Sequence, residues 1–418
     1  MKASLDRATL DDVERRLAAH DAHLEQAYPG DDGTRQPVHT VYVPAHRYAA
    51  GLARDWGDRA RAAVDAQGTD ALLDAVGVRA DLREAVAAQV ERKLATEPIE
   101  DLRIDLEDGY GTHPDAAEDE VTAAAAVALR AELDAGGATP FVGIRFKCFE
   151  RPTRARGLRT LDVFVSTLAA SGDLPAGLVL TLPKVTAVAQ VEAMVAVCER
   201  LEEANGLAAG RLRFEVQVET PQSILDSAGT ATVARMIHAG RGRVSGLHYG
   251  TYDYSASLGI AAAYQSMEHP AADLAKEVMQ LAAAGTGVRL SDGSTNVLPV
   301  GDDAQVRAAW ANHGRLVSRS LERGFYQGWD LHPAQLPSRF AATYAFYREG
   351  FEPAAERLSN YVNEVEGAVL DEPATAKALA WFLKRGLDCG ALGEAEILER
   401  AGLRSAELTA MVTRPVGA

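Results

Sequence analysis

The feature that most limits how this chain can fold is an alternation. Short runs rich in β-branched and aromatic residues are separated, eight times over, by long stretches rich in Ala, Leu, Glu and Arg. The pattern predicts strands over 39–43, 102–106, 141–146, 178–182, 214–218, 244–249, 297–300 and 328–331. Between them apolar residues recur at helical spacing: Val188, Val191, Met194 and Val195 within 186–204, and Leu274, Val278 and Leu281 within 272–284. Alternating strands and helices imply parallel strands joined by right-handed crossovers. Eight such units point to a closed α/β structure, a (β/α)8 TIM barrel, rather than an open sheet. The seventh strand is the least regular, because 288–300 contains Gly293 and several turn formers.

Some of the chain lies outside this pattern. Residues 1–37 read as a helical N-terminal segment, 38–339 as the barrel, and 340–418 as a C-terminal helical extension without a further strand. An unusually long helical stretch, 48–97, separates the first two strands. With 418 residues the chain can bury a large core.

Charge and composition narrow the function classes. A formal net charge of −16 repels phosphate backbones, so no nucleic-acid partner is expected. The longest apolar runs, such as AGLVLTLPKV around Leu180, are much shorter than a bilayer-spanning helix. The N-terminus reads as an amphipathic helix rather than a signal peptide, which leads to a cytoplasmic expectation with no membrane partner. Cys148, Cys198 and Cys389 form no CxxC pair and read as buried free thiols. The basic cluster at 151–159 reads as a solvated loop or as a grip for an anionic group.

A barrel of this kind carries its active site at the C-terminal ends of its strands. There the sequence places His46 after strand one, Asp105, Glu107 and Asp108 after strand two, and Arg145 and Lys147 after strand three. Lys184 follows strand four, Glu219 strand five, Asp253 strand six and His332 strand eight. Glu219 and Asp253 lie one strand apart and suit a hard divalent cation, which takes one or two carboxylates plus waters; a salt-bridging Glu and a helix-capping Asp are the bland alternatives. Arg145 offers a fixed fork of donors to a substrate carboxylate or enolate, or else makes a structural ion pair. Glu107 and Asp108 read as supports of the site or of the fold. Lys184 reads as an electrostatic partner of the acids rather than a Schiff-base amine. His46 and His332 divide evenly between positioning and direct chemistry.

Six segments resemble one family. VYVPAHR (41–47), IDLEDG (104–109), LPKV (182–185), VQVETP (216–221), HYGTYD (248–253) and LHPAQL (331–336) resemble, in order, segments of the HpcH/HpaI aldolase and citrate lyase beta-subunit family, in the pyruvate kinase-like barrel superfamily. The resemblance implies a barrel with Mg2+ on Glu219 and Asp253 and with Arg145 on the substrate. It also implies lyase chemistry on 3-hydroxy acyl thioesters or 4-hydroxy-2-oxo acids, and a homo-oligomer, a trimer or hexamer. The family's 2-oxo acid aldolases carry a His where this chain has Asp108, which places it nearer the citrate lyase beta-subunit and malyl-CoA lyase branch. The long stretch after strand one, the C-terminal extension and the VPAHRY turn depart from that branch.

The expectation is a Mg2+-dependent (or Mn2+-dependent) carbon–carbon lyase, cleaving a small hydroxy acid or its CoA thioester by a retro-aldol or retro-Claisen step through a metal-stabilised enolate. Arg145, Asp108 and His46 are its candidate catalytic residues. Arg145, Glu107, Lys184 and His332 are the candidate substrate contacts, and the partner is a small molecule. The competing readings are a class II-like 2-oxo acid aldolase, an enzyme of phosphoenolpyruvate chemistry, and a non-catalytic metabolite-binding barrel.

Overall fold

The computed structural model describes residues 4–365 and 372–413. The ends of both helical segments read from the sequence, 1–3 and 414–418, and an internal piece of the second, 366–371, lie outside the described residues.

Eight parallel strands form one sheet in the order β7-β6-β5-β4-β3-β2-β1-β8. They are β1 (His39–Pro44), β2 (Asp101–Asp105), β3 (Phe141–Arg145), β4 (Leu178–Leu182), β5 (Phe214–Val218), β6 (Val244–Tyr249), β7 (Arg289–Ser291) and β8 (Gly328–Asp330). A parallel bridge between Ser291 and Gln327 joins the two ends of the sheet. Just above it the Trp329 N–H donates to the Gly293 carbonyl at 3.2 Å. The (β/α)8 barrel read from the alternation is thus the observed fold.

Helices surround it. α1 (Arg7–Ala27) precedes β1, and three helices, α2 (Leu52–Gln67), α3 (Thr69–Val76) and α4 (Arg83–Thr96), occupy the long stretch before β2. The crossovers then use α5 (Asp115–Asp134), α6 (Arg154–Ala170) and α7 (Val188–Ala204) in turn. Next come α8 (Pro221–Ile224) and α9 (Thr232–Ala239), α10 (Thr251–Ser257) and α11 (Pro270–Ala283), and α12 (Asp303–Glu322). After β8, α13 (Leu336–Val362) packs against α4 and α12 and carries the remaining helices, α14 (Pro373–Asp388), α15 (Glu394–Ala401) and α16 (Ser405–Thr413). Aromatic contacts fix that junction, with the Tyr347 and Phe382 rings 5.1 Å apart.

Two expectations need correction. The seventh strand is Arg289–Ser291, not 297–300. Val297 and Val300 are exposed and Pro299 has no N–H for a ladder, whereas the Arg-Leu-Ser run pairs with β6 despite its polarity. On α11, Leu274 and Leu281 face outward and Ala272, Ala275 and Met279 form the buried side. Small residues there let the helix approach the barrel closely, so the largest apolar side chains do not mark the core face.

Alternation along the strands gives the barrel a polar interior. Val41 and Val43 pack outward against helices, while Thr40 and Tyr42 point inward. Inside, Arg103 pairs with Asp101 and Glu215, and Glu215 also meets His248 Nε2 at 2.8 Å. Burial of these charges is tolerable because each has a partner.

Candidate active site

The residues that converge at the C-terminal rim come from β2, β3, β4, β5 and the turn after β6. Arg145 ends β3 and is buried. Its Nε and Nη2 each donate to Asp105 at 2.7 Å, a bidentate pair that fixes the guanidinium plane. Nη1 lies 3.8 Å from Glu107. Below, the guanidinium rests on two rings, 4.8 Å from the centroid of Tyr42 and 5.5 Å from that of Trp329. Its charge is held firmly: burial opposes it, but Asp105 and Glu107 outweigh burial and raise its pKa.

Asp105 does more than hold Arg145. Its two oxygens also accept from the N–H groups of Glu107 and Gly109, at 3.0 and 2.9 Å, and so shape the turn that presents Glu107 and Asp108. Asp105 is thus a structural acid that also stands beside the site.

Lys184 stands at the centre of the acids. Its ammonium is 2.9 Å from Glu107, 2.5 Å from Asp108 and 3.8 Å from Asp253. Its backbone adopts φ 50°, a left-handed conformation unusual for a residue with a side chain. In that conformation its N–H donates to Glu219 Oε1 at 2.7 Å. Burial works against the ammonium, yet Glu219, Glu107 and Asp108 prevail and hold its pKa above the usual lysine range.

Glu219 follows β5 and is 1% exposed. Burial raises its pKa to about 7; Lys184 and Arg145 pull against that shift, and Asp253 and Glu107 add to it. Gly250, at the end of β6, permits this packing: a Cβ there would lie 2.5 Å from Glu219 Cβ and 2.8 Å from Oε2. The Gly-Thr-Tyr-Asp segment then turns directly into α10, with Asp253 in its first turn and its carboxylate half exposed.

The remaining acids differ in character. Burial raises the pKa of Glu107, with Arg145 and Lys184 opposing it. Asp108 also feels burial, but its links to Glu107 and Lys184 hold its carboxyl below the ordinary range.

The two histidines lie apart from this cluster in their described contacts. His46 is exposed, with its ring 5.7 Å from that of Tyr110. His332 Nδ1 accepts from the Ala334 N–H at 3.1 Å and caps the short turn that leads into α13. Burial, with a smaller effect from Arg59, lowers its pKa. The basic cluster, read as a loop, runs into α6 from Arg154 onward; Arg156 and Arg159 pair with Asp119 of α5, and Arg154 donates to the Phe149 carbonyl at 2.8 Å. Lys147 likewise donates to Glu118 at 2.6 Å. The three cysteines are buried and free.

Tyr42 and Trp329 were not singled out in the sequence. Tyr42 alternates with outward-facing Val41 and Val43, so period-two reasoning along β1 would have pointed it inward. Nothing local placed Trp329 against it, at a ring separation of 4.1 Å.

The donor set suits a hard divalent cation. Among the described residues no three His, Cys, Asp or Glu side chains form a cage by themselves. Mg2+, however, usually takes one or two carboxylates and fills its other positions with water and substrate oxygens. Glu219 and Asp253 offer such a pair. Burial, with a smaller contribution from Asp253 and Glu107, raises Glu219, and an added positive charge would oppose that rise.

A family model described as a domain of unknown function (DUF6986) matches residues 17–416. No curated protein matches the sequence. A citrate lyase from Burkholderia xenovorans LB400 superposes with a TM-score of 0.55 at 20% identity, covering 86% of this chain and 97% of that one. A Haloferax volcanii malate synthase in a magnesium/glyoxylate complex gives 0.49 at 15% identity, over 91% and 98% of the two chains. The protein CitE from Mycobacterium tuberculosis, in complex with magnesium, acetoacetate and coenzyme A, gives 0.47 at 18% identity, over 89% and 100%. The likeness to the Burkholderia citrate lyase bears out the resemblance read from the six segments at the level of fold. No helix among the described residues is long and apolar enough to cross a membrane.

Proposed function

The chain belongs to the DUF6986 family, and we propose that it is a Mg2+-dependent carbon–carbon lyase acting on a small hydroxy acid or its CoA thioester. The observation that carries this reading is the convergence of Glu107, Asp108, Glu219 and Asp253 around Lys184, beside an arginine whose orientation Asp105 fixes.

Cleavage of a carbon–carbon bond next to a carbonyl moves the bonding pair onto that carbonyl fragment as an enolate. Glu219 and Asp253 would hold the cation, which would supply Lewis acidity to the enolate chemistry. Arg145 supplies a fixed positive charge beside it, and needs no reorganisation because Asp105 already sets its plane. Its Nη1, not bonded to Asp105, offers N–H donors to a substrate oxygen.

The other product forms as the substrate hydroxyl loses its proton and its oxygen becomes a carbonyl. Glu107 is the better acceptor of that proton, because burial raises its basicity while Asp108 is held ionised. Asp108 then serves to anchor Lys184. The enolate fragment takes up a proton to finish the cycle, and the same residues run the reaction backwards as a condensation. His46, at the exposed rim beside Tyr110, is assigned to the mouth of the site, and His332 to the turn it caps.

The test is a screen of small hydroxy acids and their CoA esters with Mg2+, following release of pyruvate, glyoxylate, acetate or acetyl-CoA. Product formation that a chelator stops and added Mg2+ restores is the expected result. Tight calorimetric binding of a 2-oxo acid without any turnover would replace the lyase by a metabolite-binding barrel.

A further inference from the structure

α1 is 21 residues long and none of them is buried. Helices in water draw most of their stability from packing an apolar face, and a helix without such a contact is marginal. This one nevertheless carries an apolar stripe. Leu10, Val13, Leu17 and Leu24 are each more than 40% exposed. Just past its end α1 is tied to the barrel, where the Tyr28 ring meets His238 at 5.5 Å and the Gly30 N–H donates to Gly285 at 2.8 Å.

The stripe has a seven-residue period. Positions 10, 13, 17, 20, 24 and 27 are spaced alternately by three and four, the a and d positions of a coiled-coil seam, and hold Leu, Val, Leu, His, Leu and Ala. The flanking positions decide which partner fits. In a parallel pair, each g position faces the e position five residues later on the other helix. Arg16 then faces Asp21, while Thr9 faces Glu14 and His23 faces Tyr28, so the register holds one opposite-charge pair and no like-charge pair. Arg16 reaches Asp12 within its own helix at 2.7 Å, on the side away from the stripe.

We propose that α1 is a self-association helix, packing in parallel along Leu10, Val13, Leu17 and Leu24 against α1 of a second copy of this chain, with Arg16 paired to Asp21 of the partner subunit. The Leu residues at a and the polar His20 at d leave the number of copies to measurement, because that choice depends on packing in the assembled layers. This surface lies at the N-terminal side of the barrel and is independent of the lyase reading.

The experiment is light scattering after size exclusion on the full chain, whose monomer mass is 44.5 kDa. Wild type is expected at a multiple of that mass, and Leu17→Asp at half the wild-type mass or less, with the barrel's thermal transition unchanged because Leu17 is exposed and no residue of α1 is buried. Asp21→Arg, which sets Arg against Arg16, should lower the mass in the same way, and the double variant Arg16→Glu/Asp21→Arg should restore it. A monomeric wild type overturns the proposal, as it would if α1 folded back on its own barrel. An oligomer indifferent to Leu17→Asp overturns it too, and so does a double variant that stays dissociated.

Discussion

The backbone N–H of Lys184 donates to Glu219 Oε1 at 2.7 Å, while the ammonium of the same residue lies 2.9 Å from Glu107. One residue thus orients the buried carboxylate through its main chain and balances the neighbouring acids through its side chain. The left-handed backbone of Lys184 is what allows both contacts. Strain of this sort persists where surrounding contacts over-determine it, and such places are commonly functional.

Replacing Glu219 by Gln should leave the barrel folded and weaken Mn2+ binding, read by electron paramagnetic resonance, by at least about tenfold, with Mg2+-dependent turnover lost. Unchanged Mn2+ affinity would remove Glu219 from the ion site.

The same carboxyl predicts a pH dependence in metal-free protein. Its pKa is raised from an ordinary 4.5 to about 7 by burial, so the folded state binds the proton more tightly than the unfolded chain does. The resulting stability is fully present below pH 4.5 and is lost as pH rises towards 7, a change of about 3 kcal/mol. Chemical denaturation in chelator across that window should show the decline, Mg2+ should offset it, and Glu219→Gln should flatten it. A profile with no fall between pH 4.5 and 7 in chelator would contradict the assignment.

Arg145→Ala is a poor probe of catalysis, because it strands Asp105 in a buried site and should cost roughly 3–5 kcal/mol of stability. Arg145→Lys keeps the charge but cannot reproduce the two parallel bonds to Asp105. Turnover is expected to fall by about a hundredfold or more with a smaller change in stability. Near-wild-type turnover in Arg145→Lys would show that the guanidinium geometry does not matter to the reaction.

Gly250→Ala places a methyl group 2.5 Å from Glu219 Cβ. Overpacking at such a contact should cost about 1–3 kcal/mol and push the carboxylate off its position, so Mn2+ affinity should fall as well. A variant with wild-type melting temperature and metal affinity would mean that Glu219 moves freely.

Lys184→Met removes the one ammonium among the acids. Metal-free protein should melt lower than wild type, and the rise in melting temperature on adding Mg2+ should be larger, since the ion becomes the main positive charge there. An equal Mg2+ shift in both proteins would separate Lys184 from the ion's environment.

How far the sequence reached can be judged residue by residue. Period-two and helical spacing report which local faces prefer burial, and with eight alternations they were enough for a parallel barrel. The rule that barrel sites lie after the strands then brought Glu107, Asp108, Arg145, Lys184, Glu219 and Asp253 into view. Local pattern failed where polarity and burial part company. β7 is the Arg289–Ser291 run because closure of the sheet needs its backbone, whatever its side chains. α11 buries Ala and Met in place of its leucines because the close approach to the barrel leaves room only there. Pairing across the barrel was also out of reach: that Asp105 holds Arg145, that Trp329 lies under it, and that Lys184 turns left-handed to meet Glu219 depend on register and ring closure. The residue types and their order along the rim were therefore set by the sequence alone. Which of them touch was decided by the tertiary structure, because contacts between residues thirty-five or more positions apart are fixed only when the whole barrel closes.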